Sequence, residues 1–152
     1  MFNKRKTLKV FAYSFFTLVF FPYNYLYSAA KKIINPNLSD KQKDIMFKEG
    51  TERPFTSELL NEKRQGFYHC ANCGAKLFSS SAKFDSGTGW PSFFDYLPNA
   101  LEFKTDFKLV IPRKEYHCSR CGGHHGHVFK DGPEPTGLRY CNNGLVLNFI
   151  PD

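Results

Sequence analysis

The five cysteines are the most reactive side chains of this 152-residue chain, and four of them form two pairs of the pattern Cys-x-x-Cys. Each pair is followed directly by glycine, and a 44-residue gap separates the pairs. Two thiolates three positions apart on a tight turn can face one ion, and two such turns complete a tetrahedral zinc site. The spacing therefore predicts a closed, structural zinc site whose ligands are Cys70, Cys73, Cys118 and Cys121.

Two other uses of these pairs are compatible with the same pattern. In an oxidising compartment they could form disulfides or redox-active dithiols, and a zinc site can also support nucleic-acid binding. His69 and His117 each precede a pair, but four thiolates leave neither needed as a zinc ligand. The structural zinc site remains the favoured interpretation, with zinc as the only predicted cofactor.

Cys141 lies outside both pairs, and its neighbours could activate a thiol. Arg139 is two residues upstream and would share its face of a strand, where a positive charge favours the thiolate. Asn143, two residues downstream, could supply an amide donor. The segment "GGHHGHVF" offers His124, His125 and His127 as proton donors or as supports for the thiolate. A nucleophilic cysteine is one hypothesis for this pattern.

The alternative is that these residues are structural. A buried cysteine can act as a small apolar side chain, histidines are common in loops, and Trp90 considered alone would be a core residue. Residue types and spacing do not decide between the two interpretations.

The elements that must position these residues are mainly β-strands. Ser39 can cap a helix that Gly50 closes in the left-handed conformation, and a second short helical piece follows Pro54. From Gly66 onward, short runs rich in aromatic and β-branched residues predict antiparallel strands: "GFYHC", "AKLFSS", "LEFKTDFKLVI", "KEYHC", "HGHVFK", "GLRYC" and "LVLNFI". The last run has apolar residues on both faces, which predicts a strand covered on both sides.

Residues 1–30 differ from the rest of the chain. A basic stretch precedes the mostly apolar run "VFAYSFFTLVFF", and small residues follow at 28–30, which is typical of a secretory leader. We expect export to a periplasm or beyond the cell, or import into an organelle. An uncleaved membrane anchor is the alternative, although the apolar run is short for a spanning helix. Residues 31–38 are predicted to be a linker and residues 39–152 one domain.

The charge of the chain argues against a nucleic-acid partner. The full chain has a net charge of +7, but the leader contributes four basic residues and no acidic one. The remainder carries 17 basic and 14 acidic side chains, a net charge of +3. A nucleic-acid interface needs a denser basic patch.

Five blocks of the sequence resemble, in order, the signatures of the B-type methionine sulfoxide reductases, which reduce methionine-R-sulfoxide. They are "GTERPFT", "CANCGAKLF", "FDSGTGWPSF", "CSRCGGHHGHVFKDGP" and "PTGLRYCNNGLVLNFIP". The resemblance implies a mainly β fold of two antiparallel sheets in a tent-like or barrel-like arrangement. Short N-terminal helices and a four-cysteine zinc site away from the active site complete the expected fold.

The resemblance also implies a role for individual residues. Cys141 matches the catalytic nucleophile, His124 and His127 match the active-site histidines, and Arg139 and Asn143 match residues around the nucleophile. Trp90 matches the indole that packs on the methyl group of the substrate, and Phe129 is expected near the substrate. Asp131 matches a neighbour of less defined role. His125 replaces the leucine that most members have, and is not expected to be catalytic.

Thr88 is the informative departure from the family pattern. Many members have a cysteine here that resolves the oxidised nucleophile as an intramolecular disulfide. With four cysteines assigned to zinc and one to catalysis, this chain has none left for that step. We therefore expect an external thiol reductant, such as a thioredoxin-like protein, glutaredoxin or a small thiol. We expect the protein to be a monomer whose substrates are oxidised proteins. It would contact a membrane only through the leader, if the leader is not cleaved.

Two functions from other classes remain open at this stage. One is a zinc-stapled binding module of the same fold without catalysis. The other is a secreted thiol–disulfide oxidoreductase that uses its Cys-x-x-Cys pairs and binds no zinc.

Overall fold

A computed structural model describes residues 31–107 and 112–152. The predicted leader at residues 1–30, and residues 108–111 of one predicted strand, lie outside the described residues. Within the described ranges no helix is long and apolar enough to cross a membrane.

The described chain is mainly β, as predicted, and its strands form two antiparallel sheets. The strands are β1 (Gly66–Cys70), β2 (Lys76–Ser79), β3 (Lys83–Phe84), β4 (Ser92–Phe93), β5 (Leu101–Asp106), β6 (Arg113–Cys118), β7 (His124–Phe129), β8 (Arg139–Asn142) and β9 (Leu147–Pro151). The smaller sheet has the order β2-β1-β9, and the larger has the order β3-β4-β8-β7-β6-β5. Neither sheet closes into a barrel among the described residues.

One α-helix, α1 (Asp40–Lys48), precedes the sheets. Its N-terminus is the predicted one: Ser39 accepts from the backbone of Gln42, and Gln42 bonds back to the backbone of Ser39 in a capping box. Its C-terminus differs from the prediction, because Glu49 rather than Gly50 adopts the left-handed conformation. Lys31 holds the Glu49 side chain in an ion pair of 2.9 Å.

The second predicted helical piece is a short 3-10 helix, Glu58–Leu60. The prediction for the last strand was wrong in two respects. β9 begins at Leu147, since residues 144–146 form another 3-10 turn. It is also not covered on both sides, because Ile150 is 51% exposed. Cys141 belongs to the preceding strand β8, which corresponds to the separate predicted run "GLRYC".

Two strands were missed by the sequence pattern. β3 and β4 have two residues each, which is too short for the alternation of apolar and polar residues that marks a strand. β4 is nevertheless central to the site, because Ser92 pairs with Cys141.

Aromatic side chains fill the space between the two sheets. Phe78 of the smaller sheet stacks on Phe93 of the larger, with ring centroids 4.3 Å apart, and Tyr68 meets Phe93 edge-on at 4.9 Å. Tyr116 and Tyr140 of the larger sheet continue the cluster at 5.7 Å. Such contacts contribute beyond the area they bury, typically by about 1 kcal/mol each. They fix the larger sheet, which carries the candidate site, against the smaller one.

Residues 31–37 run along the first Cys-x-x-Cys turn. The Asn72 carboxamide accepts from the backbone of Ile34 and Asn35 and donates to the carbonyl of Lys32. The backbone N–H of Lys32 also donates to the Cys121 carbonyl, in the second turn. The segment predicted to be a linker is therefore packed on both turns.

Candidate active site

Cys141 lies in the middle of the larger sheet, on β8 between β4 and β7. It pairs directly with Ser92 on one side and with His127 on the other. Its side chain is half-buried and lines a cavity of about 210 Å³. The other residues around this cavity are Thr51, Trp90, Arg113, Gly126, His127, Phe129, Asn142 and Asn143.

Two opposing effects act on the Cys141 thiol. Burial raises its pKa above the ordinary value, and the nearby Arg139 guanidinium and Thr88 hydroxyl oppose that shift without cancelling it. Arg139 is fixed for this task by a bidentate pair with Asp131, at 2.9 and 2.8 Å. It also lies over the Phe129 ring, 4.3 Å from the centroid. Arg139 and Cys141 both belong to β8, two residues apart, and the guanidinium is close enough to act on the thiol.

His127 faces Cys141 across the β7–β8 pairing. Its Nε2 lies 2.9 Å from Oδ2 of Asp106, which Arg113 also contacts at 2.8 Å. Burial lowers the pKa of His127, and the hydrogen bond to the Asp106 carboxylate acts in the opposite direction. Burial outweighs this hydrogen bond, so the pKa of His127 lies below that of a free imidazole.

Trp90 and Asn143 are positioned by one backbone segment. The Trp90 indole N–H donates to the Glu52 carbonyl at 3.0 Å, and the Glu52 N–H donates to Oδ1 of Asn143 at 2.8 Å. The Asn143 amide in turn donates to the His125 carbonyl at 2.9 Å. The buried Glu52 carboxylate accepts from the N–H of Leu145 at 3.2 Å, in the 3-10 turn that follows Asn143. This network fixes two walls of the cavity.

Not every predicted site residue lies at the cavity. His124 is buried, 1% exposed, and is absent from the cavity lining; its Nδ1 lies 3.3 Å from Glu115. His125 is also fully buried, and burial lowers its pKa to about 3. The structure brings Cys141, His127, Arg139, Asn143, Trp90 and Phe129 together, and places His124 behind them.

Sequence reasoning missed three residues that support the site. Glu52 lies in the block "GTERPFT", one of the five family signatures, and that position could have identified it as a site residue. Asp106 and Arg113 lie on neighbouring strands, and nothing in their local sequence links them to His127.

The four paired cysteines converge on one point, as predicted. Their sulfur atoms all lie within 4.8 Å of one another, with Sγ of Cys70 and Cys121 3.7 Å apart and Sγ of Cys73 and Cys118 3.5 Å apart. A tetrahedral ion with Zn–S bonds of about 2.3 Å separates its sulfur ligands by roughly 3.8 Å. The donor set therefore fits a metal ion, and Cys141 is not part of it.

Comparison with known proteins places this site in context. The sequence pattern of the SelR domain matches residues 38–151. A protein of Methanosarcina barkeri named peptide methionine sulfoxide reductase MsrB is 50% identical over 120 residues, which cover 78% of this chain and 82% of that protein. Proteins of the same name from Thiobacillus denitrificans and Leifsonia xyli are 56% and 51% identical, over 75% and 76% of this chain and 87% and 84% of theirs.

Proposed function

The chain belongs to the SelR-domain family of peptide methionine sulfoxide reductases, and from that premise we propose that it reduces the R epimer of methionine sulfoxide to methionine, in proteins and as the free amino acid. The observation that carries this proposal is the pairing of Cys141 with His127 in a cavity that Trp90 also lines. Sulfoxide reduction needs a thiolate, a proton donor and an apolar wall, and these three residues provide them.

The reaction begins at Cys141. Its thiolate sulfur attacks the sulfoxide sulfur, while a proton from the His127 imidazolium reaches the sulfoxide oxygen. The protonated oxygen then passes to the sulfur of Cys141 as the S–O bond of the substrate and the transient S–S bond both break. The products are the thioether of methionine and a sulfenic acid at Cys141, so the substrate is reduced by two electrons and the cysteine is oxidised by two. His127 rather than His124 is assigned as the acid because it lines the cavity.

Selectivity for one epimer follows from two different walls. The methyl group on sulfur would pack on the Trp90 ring, where sulfur–aromatic contacts are favourable. The sulfoxide oxygen would face the polar side, at His127 and Asn143. The opposite epimer exchanges the two groups and would bury its oxygen against the indole without a hydrogen bond, which is costly.

Regeneration of Cys141 is proposed to use an external thiol. A second thiol is needed to reduce the sulfenic acid, and the other four cysteines of the chain lie in the metal cluster. We assign that cluster to structural zinc: Cys70, Cys73, Cys118 and Cys121 would hold the ion. The ion would stabilise the fold, and none of its four ligands lines the reaction cavity.

An assay with the separate R and S epimers of dabsylated methionine sulfoxide and dithiothreitol tests the function. We expect loss of the R epimer alone, and a loss of activity of at least about 1,000-fold in Cys141→Ser. Turnover of the S epimer, or activity retained in Cys141→Ser, would contradict the assignment. No turnover of either epimer would support the binding module without catalysis.

Mass spectrometry after one turnover without reductant tests the regeneration step. We expect an oxidised Cys141 and no intramolecular disulfide that includes it. A disulfide between Cys141 and a cluster cysteine would contradict the separation of the two sites. Comparing thioredoxin, glutaredoxin and small thiols as reductants in the epimer assay then identifies the preferred class.

Export through residues 1–30 is proposed on their composition alone. N-terminal sequencing of the protein from its cells would test this, with a new N-terminus near residue 31 expected. An intact N-terminus in the membrane fraction would support the anchor instead.

A further inference from the structure

Three buried side chains outside the reaction cavity converge on one point between β6 and β7. They are Glu115, His117 and His124, and one ligand atom of each lies within 4.8 Å of the others. The two histidines are each 1% exposed and Glu115 is 5% exposed. A carboxylate and two imidazoles in such a place need partners, because an unpaired polar group costs free energy when it is buried.

The Nδ1 atom of His117 has a partner of its own, which leaves Nε2 to face this point. Its Nδ1 lies 3.2 Å from the carbonyl oxygen of Gly122. A carbonyl oxygen can only accept, so Nδ1 carries the proton and donates. In the neutral ring Nε2 is then an acceptor, and it lies 3.0 Å from Oε1 of Glu115. The nitrogen and the carboxylate oxygen can lie this close only with a proton or a metal ion between them.

The orientations of these three side chains favour binding to one metal ion over direct hydrogen bonds between them. Nε2 of His117 lies 3.0 Å from Oε1 of Glu115 and Nδ1 of His124 lies 3.3 Å from Oε2, yet neither nitrogen makes a well-directed hydrogen bond. Ligands held at about 2.1 Å by one ion, at angles between octahedral and tetrahedral, are separated by roughly 3.0–3.4 Å. Each histidine nitrogen lies at that spacing from one of the two carboxylate oxygens, which fits a carboxylate that binds the ion through both oxygens.

We propose that Glu115, His117 and His124 form a second metal site, separate from the four-cysteine cluster. This second site would bind a divalent first-row transition-metal ion such as Zn²⁺. Two imidazoles and one carboxylate suit such ions. The bond from His117 Nδ1 to the Gly122 carbonyl also matches the backbone contact that orients many metal-bound histidines. This proposal goes beyond the reductase function and does not depend on it.

An ion at this site would join β6 to β7 and lie behind the reaction cavity. Glu115 and His117 belong to β6, and His124 begins β7. The His124 ring meets the His127 ring edge-on, with centroids 5.3 Å apart. The positive charge of the ion would therefore lie one side chain away from the histidine that faces Cys141.

Metal stoichiometry tests the proposal. The full chain with its cluster loaded would be prepared in a Cys141→Ser background, so that added metal cannot bind the Cys141 thiolate. Zinc or cobalt(II) is added and the protein is desalted. Elemental mass spectrometry then measures the number of metal ions bound per chain. We expect two ions per chain, and the second cobalt ion should add no thiolate charge-transfer absorption.

His117→Asn is the informative variant. The asparagine amide can still donate towards Gly122, but the Nε2 ligand is lost, so we expect one ion per chain. His69→Asn is the matched control, because His69 also precedes a Cys-x-x-Cys pair and its Nδ1 lies 3.0 Å from the Gly74 carbonyl. The control should retain two ions. Glu115→Gln, which should bind the second ion at least tenfold more weakly, gives an independent variant if His117→Asn fails to fold.

Three results would overturn the proposal. One ion per chain in the Cys141→Ser parent would mean that Glu115 and the two histidines share only a proton. Two ions in His117→Asn would place the second ion elsewhere. Loss of the second ion in His69→Asn would show that the effect is not specific to the Glu115 site.

Discussion

At the scale of single residues, the reactivity of Cys141 depends on the balance between its burial and the charge of Arg139. Burial favours the neutral thiol, whereas the guanidinium favours the thiolate. Asp131 fixes Arg139 in place through two hydrogen bonds. The half-buried cysteine therefore keeps a positive partner of fixed position.

Arg139→Gln should raise the pKa of Cys141, because the largest effect that opposes burial is removed. Below its pKa a thiol loses thiolate about tenfold per pH unit, so activity at neutral pH should fall and the rising limb of the pH profile should move to higher pH. The rate of Cys141 alkylation against pH, followed by peptide mass spectrometry, measures the shift. Arg64→Gln, the same charge change at an exposed site paired with Glu62, should leave the profile unchanged.

Asp106→Asn should weaken His127 as an acid. The carboxylate hydrogen bond raises the pKa of His127 against the effect of burial, so its loss lowers that pKa further. Activity that needs the imidazolium falls as pH rises through this pKa, and the falling limb should move to lower pH. At neutral pH we expect kcat to drop by about tenfold to 100-fold. An unchanged falling limb would argue against His127 as the proton donor; Glu102→Gln on the same strand is the control.

At the scale of elements, the site depends on the close approach of β7 to β8. Gly126 lies on β7 opposite Asn142, and a Cβ at this position would collide with the carbonyl oxygen of Cys141. That carbonyl also accepts a hydrogen bond from the Tyr116 hydroxyl at 3.1 Å. The strand that carries Cys141 therefore packs against a glycine and a core tyrosine.

Gly126→Ala should destabilise the fold by more than about 3 kcal/mol, since backbone and not a flexible side chain must move. Gly137→Ala is the matched comparison: its φ of +65° strains an alanine, but the added Cβ meets nothing within 4 Å. We expect it to cost only about 1 kcal/mol. Urea unfolding of both variants measures the difference in the free energy of unfolding. Equal losses of stability would show that β7 and β8 accommodate the added methyl group at no extra cost.

Much of this element pattern could be predicted from the sequence, for physical reasons that differ between residues. The two Cys-x-x-Cys turns are local motifs, so their convergence could be inferred from spacing. β4 could not, because Ser92 and Phe93 form too short a segment to carry a periodicity. The contact of Asp106 with His127 joins different strands through the folded sheet, and such long-range pairs leave no local trace.

At the scale of the whole molecule, the cysteine cluster connects the two sheets. Cys70 and Cys73 lie at the turn between β1 and β2 of the smaller sheet, and Cys118 and Cys121 at the turn between β6 and β7 of the larger. The aromatic core holds the sheets together elsewhere. A bound ion would therefore constrain the relative placement of the two sheets at one end.

Removal of the cluster metal should lower the thermal stability of the whole domain. Chelation or Cys118→Ser should lower Tm by at least about 10 °C, because structural zinc contributes several kcal/mol of folding free energy. Differential scanning calorimetry with and without a chelator measures this. A Tm that is insensitive to chelator but falls on addition of reductant would instead indicate disulfides between the paired cysteines.

In the proposed reaction, the isolation of Cys141 from the four other cysteines would also limit the number of turnovers that each molecule completes. A sulfenic acid that waits in an open cavity can meet a second oxidant before it meets a thiol, and it then becomes a sulfinic acid that ordinary thiols do not reduce. The number of substrates each molecule repairs would thus depend on the ratio of thiol to peroxide around it. Where peroxide prevails, the repair protein would itself be consumed.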